Sequence, residues 1–178
     1  MRKVFFFTLI FSAIKLFALS SDDFIIQQAI DNNNIRFRPK IYLGQNWGEA
    51  NIKDKLIKTE IHEQWGMYKD VIVYFFENIE IATARYIPNA TYRRTVQVIV
   101  TGDKYFTMSE ITVGSSINDV TSIYGKPKHE QQYEGMNINI YEIDDLHSEY
   151  SELQAYRIGF IHKDGVVKKI RVSYAYSI

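Results

Sequence analysis

The chain has 178 residues, with 21 basic and 21 acidic side chains, no cysteine, and 15% aromatic residues that include 13 Tyr and 11 Phe. That length is enough for one domain with a real core. The charge balance gives no general footprint for nucleic acid, which needs clustered Lys and Arg, and without cysteine the fold must be held by packing rather than by disulfides.

Residues 1–20 read as an export signal. Arg2 and Lys3 precede an apolar run over 4–19, and Ala18-Leu19-Ser20 offers the small residues a signal peptidase reads, so cleavage is expected after Ser20 or one residue later. Thr8, Ser12 and Lys15 interrupt the run, which is short of the ~20 apolar residues of a membrane span. No cysteine follows for a lipid anchor. The chain is therefore expected to be exported, either periplasmic or secreted, with no membrane span. Loss of Arg2, Lys3 and Lys15 leaves it mildly acidic, and no nucleic-acid partner is expected.

Residues 21–40 read as a lead-in segment. Asp22 and Asp23 before Phe24-Ile25-Ile26 can start a short helix, and Asp31-Asn32-Asn33-Asn34 reads as a turn. No second linker follows, so 41–178 is expected to be a single domain.

Within that domain the chain repeats itself. Ile41-Tyr42-Leu43-Gly44-Gln45-Asn46 returns as Ile111-Thr112-Val113-Gly114-Ser115-Ser116, and His62-Glu63-Gln64 returns as His129-Glu130-Gln131. The step between the two histidines also carries Val71, Val73 and Tyr74 onto Ile138, Ile140 and Tyr141. A slightly longer step carries Val96, Val98 and Val100 onto Ile170, Val172 and Tyr174, which places an insertion within 144–152. Such self-similarity marks two copies of one supersecondary unit, with boundaries at about 41–107 and 108–178.

The second copy has the clearer local signals. Ser115 or Ser116 can cap a helix, Asp119 suits its first turn, Val120, Ile123 and Tyr124 form an apolar stripe, and Gly125 with Lys126-Pro127 stops it. A matching helix is expected near 51–58, with Ile52 and Leu56 inward and Ile57 and Ile61 beside them. The polar stretches His62-Glu63 and His129-Glu130 are expected in loops after the two helices. Alternation then predicts three strands per copy, with Lys163-Asp164-Gly165 and Pro88-Asn89-Ala90-Thr91 as turns. The expected fold is α+β: two tandem helix-plus-three-strand repeats forming one mainly antiparallel sheet, with the helices packed on one face.

The segment Ile111-Thr112-Val113-Gly114-Ser115-Ser116-Ile117-Asn118-Asp119-Val120-Thr121-Ser122-Ile123-Tyr124-Gly125-Lys126-Pro127 resembles the G-x-S/T-x-x-D/E-V-x-x-x-x-G-x-P helix of the β-lactamase-inhibitor-protein-like (BLIP-like) family. More distantly it resembles that of the SmpA/OmlA envelope lipoproteins, which assist assembly of outer-membrane barrels. The resemblance implies a non-enzymatic protein that binds partners on the open face of its sheet. The first copy lacks a clean version of the motif, and the inhibitor's disulfides and the lipoproteins' cysteine have no counterpart here.

No catalytic residue, metal ligand set or cofactor is assigned. There is no Gly-x-Ser-x-Gly elbow, and the two His-Glu pairs could hold a metal only if the copies brought them together. The alternation predicts Val71, Val73, Val96, Val98, Ile138, Ile140, Ile170 and Val172 beneath the helices. Tyr74, Phe76, Gln97, Asn139, Tyr141, Arg157, Lys169 and Arg171 then fall on the open face. Tyrosine, arginine and amide side chains suit a protein-binding surface. The expected function is recognition of a macromolecular partner, most plainly a protein, with a homodimer contact as another use of the same face. The alternative is binding of a small ligand or envelope polymer, and a hydrolytic enzyme stands third.

Overall fold

The computed structural model describes residues 19–29, 39–85, 91–144 and 155–175. Residues 1–18 of the export segment, the turn at 31–34, residues 88–90 and residues 145–152 of the expected insertion lie outside them. The described residues form β1 (Ile26–Gln28), β2 (Lys40–Ile41), β3 (Leu56–Trp65), β4 (Tyr68–Phe76), β5 (Ile79–Ala84), β6 (Arg94–Val100) and β7 (Tyr105–Thr107). They continue with α1 (Ile117–Tyr124), β8 (His129–Tyr133), β9 (Met136–Asp144), β10 (Ala155–Lys163) and β11 (Val166–Tyr174).

Eight strands make one antiparallel sheet in the order β3-β4-β5-β6-β11-β10-β9-β8, and β2-β1-β7 make a second, small sheet. Short turns set the hairpins. Glu134 and Gly135 both have positive φ, as do Asp164 and Gly165. Such pairs give the tight two-residue turns whose twist matches the flanking strands.

This architecture corrects the expected α+β class. The described residues are mostly β, with one α-helix and two sheets rather than a helix-plus-strand repeat with helices on a sheet face. The segment expected to be a helix near 51–58 has no regular structure over 51–55 and enters β3 at Leu56. Ile57, Thr59 and Ile61 are β-branched at strand spacing, and the chain turns back after Trp65 at Gly66, whose φ is 59°. Both His-Glu pairs, expected in loops, lie in strands, His62 in β3 and His129 in β8. In place of a first helix there is only a 3₁₀ turn, Trp47–Glu49. Phe24 and Ile26 of the lead-in segment are buried in the main core.

The helix of the second half forms where its end signals put it. Ser116 Oγ accepts from Asn118 N at 3.1 Å, Asp119 sits in the first turn, Val120 and Tyr124 are buried, and Gly125 ends the helix at φ 75°. The turn before it recurs in both halves, as do the strands, with β3-β4-β5-β6 and β8-β9-β10-β11 forming two four-stranded antiparallel runs that meet at β6 and β11. Gly114 N donates to Val167 O at 2.9 Å and Val167 N to Ser115 O at 2.9 Å; in the first half Gly44 N donates to Thr95 O at 2.7 Å and Thr95 N to Gln45 O at 2.9 Å. Thus each Ile-x-x-Gly segment docks on the start of β6 or β11, and these strands pair with each other at the sheet's centre through Val98 and Val172.

The main core lies on one face of the large sheet. Val98, Val100, Ile79, Ile81, Ile158, Phe160, Ile170 and Val172 meet Val120 and Tyr124 of α1 and Ile26, Ile41 and Tyr105 of the small sheet. A second cluster comprises Val71, Val73, Ala82, Ala84 and Val96, with Trp65, Tyr68 and Phe75 against it. It draws only on β3–β6, so none of the described elements outside the sheet contributes to it.

Candidate functional site

Directly opposed residues on neighbouring strands share a face, and pairing therefore sorts the expected site residues. Tyr74, Ile81, Val98, Val172, Ile158 and Tyr141 are successive cross-strand partners in one row. That row faces α1 and the small sheet. Tyr141 is 1% exposed, its ring centroid 5.5 Å from that of Tyr124 and 5.8 Å from that of Phe160. Tyr74 stacks on Trp47 at 4.4 Å, and Phe76 packs against the same core. Asn139, opposite Phe160, lies on this face too. Tyr74, Phe76, Asn139 and Tyr141 are thus on the covered side, not the open one. Conversely Val71, Val73, Val96, Ile138 and Ile140, expected beneath the helices, lie on the other side.

Gln97, Arg157, Lys169 and Arg171 do share the open face. At its β9–β11 end Arg157 forks onto Glu142, with Nε 2.7 Å and Nη2 2.5 Å from Oε1, while Lys128 Nζ is 2.8 Å from Oε2 and His129 Nε2 is 3.7 Å away. Burial alone raises the Glu142 carboxyl, but the bonds from Lys128 and Arg157 outweigh it and hold its pKa below the ordinary value. Arg171 Nε donates to Gln97 Oε1 at 3.0 Å. Burial and then Arg157 lower its pKa from the usual arginine value. Half-buried Ile99, Ile138 and Ile161 stand around this polar belt. Sequence reasoning missed Glu142, although a carboxylate directly after Ile138 and Ile140 in strand phase was a signal for it.

A polar cleft of about 500 Å³ opens between α1 and the β8–β10 edge on the covered side. Ile117 and Thr121 form the helix wall, and Glu130, Asn137, Asn139 and His162 are among the sheet residues. His162 Nε2 lies 3.3 Å from Asn139 Oδ1, while its Nδ1 is buried with no hydrogen-bond partner among the described residues. Burial lowers the pKa of this imidazole and Glu130 opposes that shift.

His62 and His129, the paired metal candidates, sit in the two edge strands at opposite ends of the sheet. Among the described residues no group of three or more His, Asp or Glu could hold a metal ion. No described helix is long and apolar enough to cross a membrane. Comparison with protein-family models, with curated proteins and with solved structures finds no match to this chain.

Proposed function

We propose that this is an exported, non-catalytic binding protein that recognises a protein partner on the open face of its large sheet. The observation that carries this reading is the composition of the face turned away from α1 and the small sheet, where the half-buried Arg171 and Arg157, the buried Gln97 and the exposed Lys169 are set among the half-buried Ile99, Ile138 and Ile161. Arginines held in place by their own hydrogen bonds, beside partly exposed aliphatic surface, are the composition from which interface hot spots are built. The N-terminal segment supports export, and the helix motif at Ile111 to Pro127 supports kinship with BLIP-like proteins. The test is capture of partners from the producing cell's envelope and medium with the exported chain, set against the variants Arg171→Glu and Ile138→Lys. A partner retained by the wild type and lost by both folded variants supports the face; equal retention by both removes it.

A second reading is favoured by the cleft beside α1. Its amides, Thr121, Glu130 and the His162 nitrogen that has no partner among the described residues suit a neutral, hydroxyl-rich small ligand or envelope polymer. Shifts of the His162 ring resonances during titration with neutral oligosaccharides support it, and their absence removes it.

A further inference from the structure

The two edges of the large sheet are built differently. The β8 edge is short, five residues reading His-Glu-Gln-Gln-Tyr, as edges protected against pairing tend to be. The β3 edge is ten residues long, contains no proline, and has β4 as its one neighbour among the described strands. Of the seven large hydrophobic side chains exposed among the described residues, Leu56, Ile57, Ile61 and Met67 belong to β3 or the turn after it, with Ile61 74% exposed. Lys58 does not screen this edge freely, because its Nζ is 2.6 Å from Glu60 and 4.4 Å from the centre of the Phe75 ring.

We propose that β3 pairs antiparallel with β3 of a second copy of this chain, about a two-fold axis through Ile61. A symmetric pairing of a strand with itself must place one residue opposite itself, and the side chains choose which. With Ile61 at the axis, the two exposed isoleucines meet, Glu60 lies opposite the second copy's His62, Thr59 opposite its Glu63, and Lys58 opposite its Gln64. Moving the axis to Glu60 sets two carboxylates side by side and leaves Ile61 against Thr59. Moving it to His62 sets two imidazoles together and Ile61 against Glu63. Like charges directly opposed destabilise a strand pair, whereas apolar and opposite-charge pairs support it. A one-residue slip turns one copy's faces over and breaks the continuity of both cores. The bulge between Leu56 and Lys58 limits regular pairing to the run from Lys58 onward, which is the run these contacts use. Pairing satisfies the outward backbone groups of β3 and joins the open faces of two copies into one surface.

The chain has no cysteine, so single cysteines can report the register. Sedimentation velocity of the exported chain should show a dimer at micromolar concentration. Ile61→Lys should be a monomer that still melts cooperatively, at a temperature that no longer depends on protein concentration, and Tyr133→Lys, on the opposite edge, should remain a dimer. Under mild oxidation Ile61→Cys should link to itself, and Glu63→Cys should not. A wild type that is monomeric throughout, a dimer that survives Ile61→Lys, a dimer lost with Tyr133→Lys, or self-linking as efficient at position 63 as at 61 overturns the proposal.

Discussion

The hydroxyl of Tyr141 donates to the carbonyl of Gly125 at 3.1 Å, tying the middle of β9 to the residue that ends α1. The ring beneath that hydroxyl is part of the core. Tyr141→Phe removes the hydrogen bond alone and should cost ~1 kcal/mol. Tyr141→Ala also empties the space between Tyr124 and Phe160 and should cost ~3–5 kcal/mol, the range for large aromatic truncations in a core. Denaturant melts check both values; equal costs would mean that the ring contributes little.

The sequence made this helix legible and hid the direction of Tyr141, and the difference is physical. Ser116 and Gly125 act through the backbone of their own neighbours, so their effect can be read locally. β9 carries apolar side chains in both phases, Ile138 and Ile140 in one and Tyr141 and Ile143 in the other, and alternation then cannot say which phase is covered. β4 has the same ambiguity, with Val71 and Val73 against Tyr74 and Phe76. Where one phase is charged, as with Lys169 and Arg171 of β11, the faces are readable. The first helix failed for a related reason, since Ile52, Leu56, Ile57 and Ile61 fit helical spacing while Ile57, Thr59 and Ile61 also fit a strand. The arrangement of Arg157, Glu142 and Lys128 needs β9 and β10 in register with the residue that precedes β8 and had no local trace beyond a carboxylate in the phase of Ile138 and Ile140.

Gly102 is required by its neighbour rather than by its own backbone. A Cβ there would overlap the Asn78 side-chain amide, which Asp54 holds at 3.0 and 3.3 Å. The Asn78 backbone N–H is held by the same carboxylate at 2.8 Å, so the amide has little room to withdraw. Gly102→Ala should cost ~1–3 kcal/mol, as overpacking does. Asn78→Gly in the same chain removes the clash, and Gly102→Ala should then cost well under half as much. A thermal-melt cycle of the four proteins decides it, and purely additive effects would place the strain elsewhere.

Alkali should unfold the protein through its tyrosines. Burial is the leading cause that pushes up the phenol pKa values of Tyr105, Tyr124 and Tyr141. A phenol whose pKa is raised on folding contributes stability that is fully present below its unfolded value of about 10 and is lost as pH rises toward the folded value. Stability should therefore be level near neutrality and fall above about pH 10, with slow-titrating phenols ionising only as the fold opens. The Tyr105 hydroxyl is buried without a hydrogen-bond partner among the described residues. Tyr105→Phe should thus leave stability at pH 7 unchanged or raise it, and should weaken the alkaline loss. Circular dichroism followed against phenolate absorbance checks this, and three tyrosines that titrate freely in the folded protein would refute it.

Acid should act through Glu142. Its carboxyl is held below the ordinary range by Lys128 and Arg157 despite its burial. A depressed carboxylate contributes stability that is present above its unfolded value of about 4.3 and is lost as pH falls through the folded value. Glu142→Gln keeps the shape but removes the charge from both bases and should cost ~1–3 kcal/mol at pH 7, the scale for hydrogen bonds to charged groups. Below the folded pKa the wild-type carboxyl is itself protonated, so the two proteins should converge there. Arg157→Ala should cost much less when combined with Glu142→Gln than in the wild type, because the fork between Arg157 and Glu142 is then already gone. Urea melts across the acid range measure both effects, and a gap between wild type and Glu142→Gln that stays constant from neutrality into acid would show that the charge of Glu142 is not what the fold uses.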